Sequence, residues 1–169
     1  MNPQLSNLID IGANLTHSAF EHDFEKVITE SKSAGLSHII LTGTDLHSST
    51  AATNLARQRP NFFSSTAGFH PHVSGDVTTA DFDHLQTLLT NPEVVAIGET
   101  GLDFNRNYSP PDKQRQASEK IAGLKVLFEA ELEQLKAHRG AGALVTQQDV
   151  MQILPRILAA AQAGGRSAA

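Results

Sequence analysis

The sequence predicts a parallel α/β fold assembled from repeated strand-helix units. Short apolar runs around Leu8–Ile11, His38–Leu41, Phe63–Ala67 and Val94–Ile97 alternate with stripes of apolar residues at helical spacing. Each run gives way at once to small or polar residues that include Asp, Asn, Thr, His and Glu. Right-handed crossovers between parallel strands then gather all of these exits on one edge of the sheet.

Leu8, Ile9 and Ile11 frame the first strand, with Asp10 inside it and Gly12, Asn14 and Thr16 at its exit. Phe20, Phe24, Val27, Ile28 and Ala34 follow at helical spacing, and Gly35 stands where a helix ends in a left-handed residue. The second strand, His38–Leu41, exits through Thr42, Gly43, Thr44 and Asp45. Asp45 reads as the cap of a helix carrying Ala51, Ala52, Leu55 and Ala56 rather than as a catalytic acid. The third strand, Phe63–Ala67, leads into Gly68, Phe69, His70, Pro71 and His72. Phe82, Leu85, Leu88 and Leu89 make the next helical stripe before the run from Val94.

That last run, Val94-Val95-Ala96-Ile97, is uninterrupted and reads as a strand buried on both faces; it ends in Gly98 and then Glu99. A carboxylate thus emerges where a buried strand surfaces. Asp103 and Arg106 follow on the same loop, so two acids and a guanidinium are expected to converge. Polar residues at the carboxyl ends of parallel strands commonly serve function, whereas a loop acid can also simply cap a helix or pair with Arg106. His70 and His72, spaced across a proline, are expected to form an extended pair facing the same edge. Imidazole ligation or substrate contact fits that pattern without being required by it. His17, His22, His38, His47, His84 and His138 read as surface or internally satisfied histidines.

The 169 residues suit about one domain with a sizeable core. A net charge of -5 lacks the general basic excess of sequence-independent nucleic-acid binders. Phosphates would need local attraction, from a bound divalent cation or from Arg106, Lys113 and Arg115. With no cysteine there is no disulfide framework and no thiolate metal site, which leaves oxygen and imidazole ligands. The N-terminus has no signal pattern and no apolar run approaches bilayer-spanning length, so a soluble, cytoplasmic protein without a membrane partner is expected.

Four stretches in order resemble the TatD family of metal-dependent deoxyribonucleases, within the wider TIM-barrel metallohydrolases: Ile9-Asp10-Ile11-Gly12-Ala13-Asn14-Leu15-Thr16, Thr42-Gly43-Thr44, Thr66-Ala67-Gly68-Phe69-His70-Pro71-His72, and Val94 to Ser109 with Pro111 close behind. The first strand of the wider family ends in Asp-x-His-x-His; Gly12 and Asn14 at those histidine positions look like the branch named after TatD. The resemblance implies TIM-barrel-type (β/α) units and metal-dependent hydrolysis of DNA, single-stranded or at 3′ ends. It implies Glu99 as metal ligand and, with Asp103, as catalytic residue. Asp10, Asn14, His70, His72 and Arg106 then contact substrate phosphate or support the site. Mg2+ is the expected ion, with Mn2+ and Zn2+ as alternatives.

Beyond Asp112 the likeness thins. Ser109, Pro110 and Asp112 read as cap, first residue and third residue of a helix. Its stripe runs through Ile121, Leu124, Phe128, Leu132 and Leu135, although Ser118 to Leu127 look inserted against the family. In the family a later strand ends in a ligand histidine, a position that here aligns with Thr146. A full (β/α)8 barrel takes about 250 residues. The expected organisation is therefore about half a barrel over residues 1–112, a divergent helical continuation over 113–158, and a tail over 159–169. Self-association or the C-terminal helices are expected to cover the open sheet edges. Two functions stay open: a TatD-like exonuclease, and a catalytically inactive relative that acts as a binding module or has no function. A metallohydrolase acting on a small ester or amide shares the scaffold.

Overall fold

The computed structural model describes residues 7–124. Four strands, β1 (Leu8–Ala13), β2 (Leu36–Leu41), β3 (Phe63–Ala67) and β4 (Val94–Ile97), form one all-parallel sheet in chain order. Helices α1 (Phe24–Ser33), α2 (Leu46–Gln58) and α3 (Thr79–Leu89) connect them, and α4 occupies residues 111–124. This is the β/α repeat expected from the alternating pattern. The expectations placed on Thr146, Asp149 and the remaining C-terminal residues lie outside the described part.

Local chemistry fixes the helix ends. Asp45 accepts from the Ser48 amide while Ser48 returns a bond to the Asp45 amide, a reciprocal box that starts α2. Thr78 and Asp81 do the same for α3. At the end of α1, Gly35 adopts φ +99°, where a side chain would be strained.

Two apolar clusters lie between the helices and the sheet. One joins Leu15, Ile28, Ile39, Leu41, Ala52, Ala56, Phe62 and Phe63. The other joins Ala67, Phe69, the α3 residues Phe82, Leu85, Leu88 and Leu89, and the α4 residues Ala117, Ile121 and Leu124. The expected boundary at 112 thus falls inside a helix that packs on the same core as α3. Small residues let α2 approach β3 closely, and the buried Thr53 and Ser65 hydroxyls meet there at 3.3 Å.

Several expectations need correction. β4 is not buried on both faces: Val94 and Ile97 pack on the second cluster, but Val95 is 52% exposed and Ala96 is exposed too. It pairs with β3 on one side, and among the described residues no strand flanks the other. The stripe from Phe20 is not one helix, because a 3-10 turn at Ser18–Phe20, seated on His17, precedes α1. The helix after the Glu99 loop starts one residue later than expected. Its first helical bond runs from the Gln114 amide to the Pro110 carbonyl, and the Ser109 hydroxyl is engaged elsewhere. No described helix is long and apolar enough to cross a membrane.

Candidate active site

The strand exits are tied together through backbone groups. The Gly98 amide donates to the Ala67 carbonyl at 2.9 Å, continuing the β3–β4 ladder past the strand end. The next amide, that of Glu99, donates to the Gly43 carbonyl at 2.7 Å, and the His70 amide donates to the Thr44 carbonyl at 2.8 Å. Glu99 and His70 therefore hang from successive carbonyls of the β2 exit. Two glycines make this approach possible. A Cβ on Gly68 would stand 2.7 Å from the Glu99 carbonyl oxygen, and one on Gly43 would stand 2.6 Å from that of Thr66.

Glu99 borders an open cleft of about 440 Å³ lined also by Ile11, Gly12, Asn14, Thr42, Thr44, Thr66 and Gly98. Asn14 is thus at the expected mouth. Asp10 lies inside β1, is exposed, and accepts from the amide of the cleft-lining Gly12 at 3.0 Å. Because β1 continues to Ala13, Asp10 sits short of the strand exit.

His70 and His72 come together, but not as an extended pair. Pro71–Val73 forms a 3-10 turn with His70 as its cap, which sets the two rings edge to face with centroids 4.2 Å apart. The His70 Nδ1 accepts from the His72 amide at 3.1 Å. In the neutral ring the proton must then sit on Nε2, which faces Glu99 Oε1 at 3.5 Å. His72 Nε2 meets Asp103 Oδ2 at 2.8 Å. The acids thus form two separate imidazole-carboxylate pairs joined through the rings.

Asp103 is the more tightly held acid. It is bound by His72, accepts from the Asn105 and Arg106 amides, and pairs with the Arg106 Nε at 3.1 Å. The His72 hydrogen bond, followed by the Arg106 amide, pulls its carboxyl from an ordinary 3.8 to about 2. It is ionised at neutral pH and occupied by partners, which suits a positioning group. Glu99, with its side chain half exposed, is the acid that faces the cleft.

Gln114, Ser109 and Tyr108 complete the loop without having been singled out for it. The Gln114 side chain is fully buried; its Oε1 accepts from the Asp103 amide, and its Nε2 donates to the Asp103 and Ser109 carbonyls. The Ser109 hydroxyl donates to the His72 carbonyl at 2.6 Å and accepts from the Gly75 amide at 2.9 Å, pinning the acid loop to the histidine turn. Gln114 had a legible signal, being the polar member of the spacing it shares with Ala117, Ile121 and Leu124. The Tyr108 ring stands edge to face against His72 at 4.6 Å. His38, read as internally satisfied, meets the Ser64 hydroxyl at 2.8 Å.

Among the described residues no group of three or more histidine and carboxylate side chains is close enough to hold a metal ion. With His70 Nδ1 engaged by the His72 amide and Nε2 carrying the proton, Glu99 is the donor of this pair, which fits only an ion that keeps most of its water.

Residues 9–124 match the family described as TatD related DNase. The 3′-5′ ssDNA/RNA exonuclease TatD of Salmonella typhimurium is 48% identical over 110 residues, which is 65% of this chain and 42% of that protein. Its counterpart in Escherichia fergusonii is 44% identical over 122 residues, covering 72% of this chain and 46% of that one. The chain therefore spans less than half the length of these curated relatives. Among solved structures, a TatD family hydrolase from Entamoeba histolytica superposes with a TM-score of 0.65 at 27% identity, over 80% of this chain and 55% of its own. With the family match extending over most of its length, the chain belongs to the TatD-related DNase family.

Proposed function

We propose that this chain acts as a divalent-metal-dependent exonuclease on single-stranded nucleic acid, DNA first, releasing nucleotides from 3′ ends. The observation that carries the reading is Glu99: a half-exposed carboxylate at the mouth of a cleft, fixed by its own amide and faced by the His70 Nε2 proton. Glu99 orients the attacking water. His70 holds that carboxylate in place, while Asp103, through His72 and Arg106, fixes the loop that presents cationic groups to the phosphates. Bound Mg2+, or Mn2+ or Zn2+ in its place, would polarise the phosphodiester and lower the pKa of water. With the Glu99 carboxylate as the donor from the described residues, ion affinity is weak and depends on substrate phosphates. The exonuclease activity for which the relatives are named supports this reading.

A second reading, a binding module without turnover, is favoured by the shortage of donors around Glu99 among the described residues. Calorimetric titration with Mg2+ and Mn2+, beside release of nucleotides from labelled single-stranded DNA, separates the two. Metal-dependent release that disappears in Glu99→Ala, with the fold unchanged by circular dichroism, supports the exonuclease. Absence of release from a folded wild-type chain that still binds DNA leaves the binding module.

A further inference from the structure

We infer that Tyr108, standing on His72 and carried by the same loop as Phe104, is a stacking platform for the bases of a single strand whose phosphates reach Glu99. The inference rests on the nucleic-acid reading above and assigns it a base-binding subsite.

Three rings form a continuous row leading away from the cleft. Glu99 faces His70, His70 meets His72 with centroids 4.2 Å apart, and His72 meets Tyr108 at 4.6 Å. Tyr108 ends the row with 71% of its surface exposed. An aromatic ring is costly to leave in water, and here packing on one edge leaves most of it open. Phe104, on the same loop, is 42% exposed and carries the Arg115 guanidinium 4.7 Å from its centroid. Arg106 is exposed between them and pairs through Nε with Asp103, whose charge it offsets. In a chain of net charge -5, this loop and the start of α4 carry three exposed cations, Arg106, Lys113 and Arg115, the last of them against the Phe104 ring.

Rings beside guanidinium groups, with no buried donor or acceptor aimed outward from them, are the chemistry of sequence-tolerant single-strand binding. Every base has a face to stack, and cations follow the backbone. A folded duplex hides those faces. The loop that carries the rings is also held in place, because Gln114 and Ser109 tie the residues on either side of it to α4 and to the histidine turn.

The chain contains one tyrosine and no tryptophan, so tyrosine emission from the untagged protein reports on Tyr108 alone. The probe is a short phosphorothioate oligothymidylate, whose linkages resist hydrolysis, titrated in Mg2+ while emission and strand anisotropy are read together. Saturable quenching of Tyr108 is expected. Tyr108→Ala should weaken binding about 5- to 150-fold, the range of one stacked base, and Tyr108→Phe should bind within about twofold of wild type. An abasic strand of equal length should leave the emission unchanged. The inference is overturned if the strand binds without quenching, if Tyr108→Ala binds as wild type does, if the abasic strand quenches equally, or if wild type binds no strand. Binding with quenching but no nucleotide release from an ordinary strand would sink the exonuclease reading alone. Release without quenching would sink the platform alone.

Discussion

β1 and β3 invert the usual relation between composition and burial. β1 carries Leu8, Ile9 and Ile11, yet all three are exposed, Ile11 at 76%. β3 is Phe63-Ser64-Ser65-Thr66-Ala67, mostly hydroxyl-bearing, yet Phe63, Ser65 and Ala67 are buried. Place in the sheet decides it. β3 is hydrogen-bonded on both sides and covered by α2, whereas among the described residues β1 pairs with β2 alone. Large aliphatics therefore stabilise this fold where a second layer meets them, and among the described residues those of β1 have none.

Truncation should expose the contrast most sharply at Phe63, which is 1% exposed and touches both Phe24 and Phe62. Phe63→Ala is expected to cost about 3–5 kcal/mol in urea denaturation, through lost burial and the cavity left behind. A cost no larger than that of an exposed site would mean that β3 is not the true interior. Next in size, Gln114→Ala should cost about 1–3 kcal/mol, because it strands the Asp103 amide and two carbonyls. It should also weaken strand binding through the loosened loop.

Asp103 contributes a smaller effect with a defined pH signature. Its carboxyl is depressed from 3.8 to about 2, so its contribution to folding is complete above the unfolded value and fades as pH falls through the folded one. Acid titration followed by Tyr108 emission should show the loop loosening between those limits, and Asp103→Asn should flatten that step. An unchanged profile in the variant would assign the transition to other groups. The smallest effect belongs to β1: Ile11→Ala should change stability by within about 0.5 kcal/mol, as exposed positions do. Ile9→Lys with Ile11→Lys should instead alter association, shifting light scattering toward monomer. A wild-type chain already monomeric in scattering would show that β1 has no partner to lose.

What the sequence revealed follows the same line. Period and punctuation located all four strands, and the Asp45 cap and the Gly35 helix end were readable because each depends on a few adjacent residues. Burial of β4 was misread, since an apolar run does not announce that only one of its sides is paired among the described residues. The His70–His72 pair was recognisable as a pair, but its 3-10 geometry comes from His70 capping its own turn. Ser109 and Tyr108 escaped as parts of the site because their partner His72 lies far away in sequence, whereas Gln114 was legible only as a polar break in an apolar spacing and not as an anchor of the loop.

The suspension of Glu99 and His70 from the adjacent carbonyls of Gly43 and Thr44 makes the two side chains one mechanical unit. Neither amide can meet solvent without parting from the same short peptide. Their hydrogen-deuterium exchange should therefore proceed with a shared opening energy, as for a single foldon. Loosening the β2 exit, by Gly43→Ala for example, should accelerate both together, although neither residue is its neighbour in sequence.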